Sequence, residues 1–253
     1  MIKNSVVIVI FLFASGLFAQ NEVLFSRATD SYNAGEYGKA IEYYQRIIDN
    51  GKHSAELYFN MANAHYKRDE IGPSIYYYEK ALLLKPNDPE ILNNLGYAQN
   101  MRLDAIDKMP ESAMTRFYNA FIGKFSFDQW AYLCVAMLVL FVLAYLAYYL
   151  LNSALQKRFS FILSMLALLL CVVTLSFAYL QYDAFKNNNP AIIFEREVAV
   201  TSEPNERSER IFTLHEGTKV NVLEELNDWM KIKIVDGQTG WIPSDNLKLL
   251  KIF

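Results

Sequence analysis

Three histidines, His53, His65 and His215, and two cysteines, Cys134 and Cys171, are the side chains best suited to hold a metal or attack a substrate. Either chemistry requires convergence: three or four ligands around an ion, or a nucleophile beside its base. His65 falls on a helical pattern, His53 in the turn before it and His215 in a β-rich tail, so only docking of separate modules would bring them together. The pair His215-Glu216 is not followed by a second histidine four positions after the first, which the helical zinc motif needs. Both cysteines lie inside long uncharged runs and read as small packing residues. There is no glycine-rich phosphate loop, and the carboxylates are scattered along solvated faces. We therefore expect no catalytic, cofactor-binding or metal-binding residues, and a protein that is not an enzyme.

The hydrophobic share, 53% of 253 residues, is concentrated in three places. MIKNSVVIVIFLFASGLFAQ has a cation, a short apolar core and small residues in the order of a secretory leader, read as residues 1–19, with an uncleaved anchor as the alternative. Residues 129–156 and 159–182 carry no charge, and each run is long enough to span the hydrocarbon of a bilayer. Trp130 and Tyr132 open the first, and Tyr179 and Tyr182 close the second, as interfacial aromatics do. Membrane spans are expected at 129–151 and 159–181. Between them, 152–158 holds Lys157 and Arg158 without an acid, and short cationic loops stay cytoplasmic. The expected protein is thus a two-pass inner-membrane protein with its N- and C-terminal modules in the periplasm. Residues 20–128 hold 12 Lys/Arg against 15 Asp/Glu and residues 183–253 hold 9 against 12, so neither module has the basic balance of a nucleic-acid partner.

Residues 20–109 repeat. FSRATDSYNAGEYGKAIEYYQRIID from Phe25 and FNMANAHYKRDEIGPSIYYYEKALL from Phe59 align at an offset of 34, matching Ala28 with Ala62, Tyr32 with Tyr66 and Tyr44 with Tyr78. A further 34 places Gly96 on the same position. Period 34 with small and aromatic residues at these places is the tetratricopeptide signature: two full helix pairs and a closing helix over about Pro89–Asp107. Pro110 stops a sixth helix from following. Stacked pairs expose a concave face, on which helical phase places Thr29, Tyr32, Asn33, Asn63, Tyr66, Lys67, Tyr97 and Met101. These form a candidate peptide groove. Tyr32 and Tyr66 equally suit packing between repeats.

In the segment 110–127, Met114, Phe117, Tyr118, Phe121, Ile122 and Phe125 recur at helical spacing, with Arg116, Asn119 and Lys124 opposite. Such a helix either lies in a membrane interface or packs back on the repeats. After a polar linker, 182–194, the periodicity changes. Alternation at Glu197–Val200, Thr218–Glu224, Met230–Val235 and Gln238–Ile242, with a hairpin signal at Asp236-Gly237, predicts a small β-barrel over 195–253.

LHEGTKVNVLEELNDWMKIKIVDGQTGWIPSDNL resembles a bacterial SH3-type domain in its turn glycine Gly217, Trp229 before a hairpin, Gly237 and the Gly240-Trp241-Ile242 triplet. VAVTSEPNERSER supplies the expected loop but lacks the common Asn-Val-Arg run. The resemblance implies binding of proteins or of cell-wall peptides and glycan. Trp229 and Trp241 either form an aromatic shelf for such a ligand or close the barrel.

The whole order of leader, repeats, two spans around a cationic loop and SH3-type barrel resembles the BatE family, the last component of the Bacteroides aerotolerance operon. Trp130 at the opening of the first span and the LHEGT stretch extend the likeness. That resemblance implies a multidomain membrane scaffold without catalytic activity, associated with other Bat-family membrane proteins. The alternative is an envelope anchor or sensor whose SH3-like domain binds peptidoglycan.

Overall fold

A computed structural model describes residues 20–106, 109–110 and 112–251; the expected leader lies outside them. The chain divides into two compact units. One joins the residues up to Lys108 to those from Asn189 onward, and the other is Met109–Asn188.

The first unit begins with five helices: α1 (20–33), α2 (Tyr37–Asp49), α3 (Ala55–Tyr66), α4 (Ile71–Leu84) and α5 (Pro89–Asn100). Their boundaries follow local chemistry. The Ser54 hydroxyl accepts from the Leu57 N–H at 3.1 Å and caps α3, while Asp88 accepts from the Glu90 and Ile91 N–H groups ahead of α5, with Pro89 in its first turn. Ala28 and Ala62, matched by the repeat, are fully buried and let neighbouring helices close around Tyr44, Tyr58 and Tyr78. Gly96 departs from that role. A Cβ built there meets nothing within 4 Å, because the described residues supply no helix to pack against it. The closing helix is also shorter than expected, ending at Asn100 rather than Asp107, and the chain beyond it turns toward the β-sheet.

That sheet has seven strands: β1 (Pro190–Ile193), β2 (Glu197–Thr201), β3 (Arg210–His215), β4 (Lys219–Leu226), β5 (Trp229–Lys233), β6 (Thr239–Pro243) and β7 (Leu247–Leu249). Its order is β3-β2-β6-β5-β4-β1-β7, with every pairing antiparallel. Register shifts at Val200/Thr201 and Val222/Glu224 bend it around a core of Val198, Val200, Leu214, Val220, Ile232 and Ile242. Among the described residues the end strands β3 and β7 do not pair, so the expected barrel is not closed by hydrogen bonds. Gly237, at φ +94°, makes the expected β5–β6 turn.

Residues 190–193, read from the sequence as linker, are instead an interior strand, paired between β4 and β7. β1 is buried along its whole length. Ala191 and Ile193 face the sheet's core, whereas Ile192 joins Tyr58, Ile75, Ile91 and Leu95 in the core of the helices. A strand buried on both faces has no polar alternation to betray it. The helices and the sheet are therefore one body.

In the second unit, α6 (Ala113–Phe117) runs into a π-helical turn, Tyr118–Ile122. Two long helices follow, α7 (Phe127–Leu150) and α8 (Ala154–Asn187), each long and apolar enough to cross a membrane. α7 starts on a capping box between Ser126 and Gln129. The seam of α8 is Ser160, Ser164, Ala167, Cys171, Thr174 and Ala178, spaced alternately by four and three. Small residues at that spacing bring two backbones close along their length. Ser164 and Thr174 return their hydroxyls to carbonyls of their own helix, leaving the seam without unpaired polar groups at those positions.

The connector expected at 152–158 is mostly helical. Ala154 already begins α8, and Lys157 and Arg158 lie in its opening turns, with the Lys157 N–H on the Ser153 carbonyl at 3.0 Å. ALQKR is a run of good helix formers, so the helix starts as soon as Ser153 permits it.

Candidate functional site

α1, α3, α4 and α5 surround a cavity of about 300 Å³ lined by Tyr32, Phe59, Asn63, Tyr66, Lys67, Tyr78, Glu90, Asn94 and Tyr97. Five of the eight groove residues expected from the repeat are thus brought together. The other three line no part of it. Thr29 turns its hydroxyl back to the Phe25 carbonyl at 3.0 Å, Asn33 ends α1 and Met101 caps α5.

Asn63 is the floor of this cavity. Its side-chain oxygen accepts from the Tyr78 hydroxyl and, at 3.1 Å, from the Asn94 amide. Phe59 packs against the Tyr78 ring at 5.9 Å, and Tyr32 stands edge-on to Tyr37 at 5.3 Å. Burial pushes the Tyr78 phenol far above its ordinary value, and burial with the neighbouring Tyr37 raises Tyr32. Both phenols are therefore neutral hydrogen-bonding groups at physiological pH, unsuited to acid–base work. Tyr97, 56% exposed, is the open wall. Lys67 is the cavity's cation and Glu90 its acid, so it carries no cluster of positive charge for a carboxylate.

Phe59, Tyr78, Glu90 and Asn94 escaped the sequence reading. Glu90 and Asn94 lie seven and three residues before Tyr97, on the same face of α5, and that spacing was the available signal.

The histidines keep separate partners. His53 Nδ1 lies 2.6 Å from the Tyr58 hydroxyl, His65 Nδ1 2.6 Å from Glu70, and His215 Nδ1 2.6 Å from Asp104. Among the described residues no group of three histidine, cysteine or carboxylate side chains is placed to hold a metal. His65, stacked on Tyr77 at 5.4 Å, borders a second cavity of about 610 Å³ between α2, α4 and the sheet, where Phe194 and Lys248 close one side. Burial lowers His65 below its usual range despite the Glu70 carboxylate, so the ring is neutral.

On the sheet, the two tryptophans differ. Met230 and Ile232 of β5 point into the core, which sends Trp229 and Lys231 to the outer face. Trp241 pairs across from Lys231, whose ammonium lies 5.7 Å from the indole, and is only 8% exposed. Its neighbour Gly240 explains the crowding: a Cβ there would meet Val200 at 2.4 Å and the Thr201 carbonyl at 3.0 Å. β2 and β6 approach too closely for a side chain. Trp241 is thus a packing residue rather than half of an aromatic shelf, and Trp229 alone remains partly open.

This strand order, bent by its two bulges around an aliphatic core, carries the Trp229 and Gly240-Trp241 positions on adjacent strands. Residues 197–248 match the family model of the bacterial SH3 domain. The SH3-like match runs from β2 into β7 and omits β1, the strand that ties the sheet to the helices. Comparison with curated proteins gave no match.

Proposed function

We propose that this protein is a non-enzymatic membrane scaffold of the BatE type, whose tetratricopeptide-like helices hold a partner peptide in the Tyr32–Tyr97 groove. The observation that carries this reading is the groove itself: flat aromatic walls and amide groups contributed by successive helices. Tyrosine and asparagine offer an extended chain contact area and backbone hydrogen bonds together. In this reading the partner belongs to a protein of the same membrane assembly, as the BatE resemblance implies.

The hairpin α7–α8 anchors the scaffold as two spans, with Lys157 and Arg158 holding the connection in the cytoplasm. Support for placing both modules on one side comes from their common core. Residues that precede and follow the hairpin share Ile192, Ile75 and Tyr58, so the chain must enter and leave the bilayer on the same face. The cationic connection supports a periplasmic position for that face.

The test is photo-crosslinking from position 97 in intact membranes, followed by recovery of the partner. A discrete crosslinked protein, lost on Tyr66→Ala with Lys67→Ala, is expected; an unchanged pattern in that variant rules the groove out. Asn63 is left intact, because its loss strands the Tyr78 and Asn94 donors and would disturb the helices themselves.

A second reading is favoured by the SH3 match and by the partly open Trp229: the sheet binds peptidoglycan and the chain is an envelope anchor. Sedimentation of the detergent-solubilised full chain with purified sacculi separates the two. The full chain is needed, since Ile192 and Leu250 are buried in the helical core and a detached sheet would expose them.

A further inference from the structure

A glutamine within a span is expensive unless its amide is fully engaged, and Gln181 of α8 is. Its carbonyl accepts from the Tyr118 hydroxyl at 2.9 Å, and its amide donates to the Ile122 carbonyl at 2.8 Å and the Phe125 carbonyl at 2.9 Å. The Trp130 indole N–H donates to that same Ile122 carbonyl at 3.0 Å. Both carbonyls are orphans left where the π-helical turn ends and the chain bends into α7. In contact with bulk water such groups need no protein partner. Here two side chains from the long helices satisfy them, as a helix end must where water is scarce.

The segment fixed in this way presents Met114, Phe117, Phe121 and Phe125 outward, with the Phe117 and Phe121 rings in tilted contact at 4.9 Å and Phe121 61% exposed. Arg116 and Lys124 are its charges, and residues 112–127 contain no acid. The outward apolar side chains continue into the aromatic cluster of Phe127, Tyr182 and Phe185 at the same end of the hairpin. An apolar face, cations without acids and internally capped carbonyls all suit the boundary between anionic headgroups and acyl chains.

We infer that residues 113–125 form an interfacial collar on an anionic phospholipid surface, clamped to the hairpin by Gln181, Tyr118 and Trp130. The collar rests on the reading of α7 and α8 as spans. Its partner is lipid, and docking against protein is an outcome the test must detect.

The full chain, with Cys134→Ala and Cys171→Ala, is placed in phosphatidylcholine–phosphatidylglycerol nanodiscs and spin-labelled at position 121, 119 or 169 in turn. Accessibility to oxygen and to a water-soluble nickel chelate is then measured. The collar requires oxygen preference at 121, nickel preference at 119 and deep oxygen preference at 169. Nickel preference at 121 with lipid contact at 169 overturns the collar and leaves the spans standing. Shielding of 121 from both reagents overturns it in favour of a protein contact. Nickel preference at 169 removes the spans and the collar together. In Gln181→Leu the line shape at 121 should sharpen as the clamp is released, and Tyr118→Phe, which deletes one bond, should do so in part. An unchanged line shape in both variants overturns the clamp.

Discussion

Asp104 and His215 are 111 positions apart in the chain, yet the Asp104 carboxylate accepts the His215 backbone N–H at 2.7 Å and lies 2.6 Å from its Nδ1. The same carboxylate accepts the Thr218 hydroxyl at 2.6 Å. Nearby, the Lys219 ammonium donates to the buried Glu79 at 2.7 Å. Desolvation would raise Asp104, but hydrogen bonds from Thr218 and His215 outweigh it and hold the carboxyl below its ordinary value. It is therefore a carboxylate, and His215 Nδ1 is the donor.

Asp104→Ala leaves three donors at the junction without their acceptor. A loss of about 3 kcal/mol is expected from such a charged, largely buried hydrogen-bond set. Chemical unfolding of the solubilised full chain, followed by tryptophan fluorescence, measures it; a change under about 0.5 kcal/mol would show a junction held by apolar contacts alone.

Gly217 sits at φ +80° against the helices, where an added Cβ would meet Ile75 at 2.8 Å and Arg102 at 3.2 Å. Gly217→Ala combines left-handed backbone strain with overpacking, and about 3 kcal/mol of destabilisation is expected. Hydrogen exchange should rise first in α4 and β1, which meet there. Exchange unchanged in both would mean that the junction yields without cost.

His65 and Asp104 both have folded values below their ordinary ones, so the unfolded chain binds their protons more tightly and acid favours unfolding. The His65 contribution is present above about pH 6.5 and is lost as pH falls through its depressed value; that of Asp104 starts to fall only below about pH 4. Unfolding midpoints measured from pH 8 to 3 should therefore decline in two steps. His65→Phe keeps the stack on Tyr77 and should abolish the upper step only.

Cys134 on α7 and Cys171 on α8 face each other with their sulfurs 3.4 Å apart. A disulfide-forming oxidant such as copper–phenanthroline should join them, giving a faster-migrating monomer on non-reducing gels that either Cys→Ala variant lacks. Crosslinked dimers in place of that band would contradict the pairing of α7 with α8 in one chain.

The legible parts of this fold are those with a local period. Ala28 and Ala62 betrayed the helix pairs at offset 34, and alternation betrayed β4, β5 and β6. β1 was hidden because both its faces are buried, and β3 because the exposed Ile211 adjoins the core-facing Phe212 and breaks the alternation at the start of the strand. Groove positions Tyr32, Asn63, Tyr66, Lys67 and Tyr97 followed from helical phase, whereas Tyr78 reaches the cavity from the second helix of its pair, which phase on the first cannot reveal. For Trp241 the sequence left shelf and barrel closure open, and its burial between buried Gly240 and Ile242 favours closure. Asp104–His215 had no signal: a polar loop residue and the last residue of β3 become partners only when distant segments meet.

β1, placed directly after the hairpin, also dictates an order of assembly. The helices emerge from the ribosome first, but the surface around Tyr58, Ile75 and Leu95 stays open until Ile192 and Leu250 have been synthesised. The hairpin is, in effect, a long insertion that the globular body must close around, and such closure late in synthesis is slow relative to helix formation. A nascent chain arrested within α8 would therefore display an unfinished apolar surface. That makes the interval between synthesis of the helices and arrival of β1 the period when this protein most needs a chaperone.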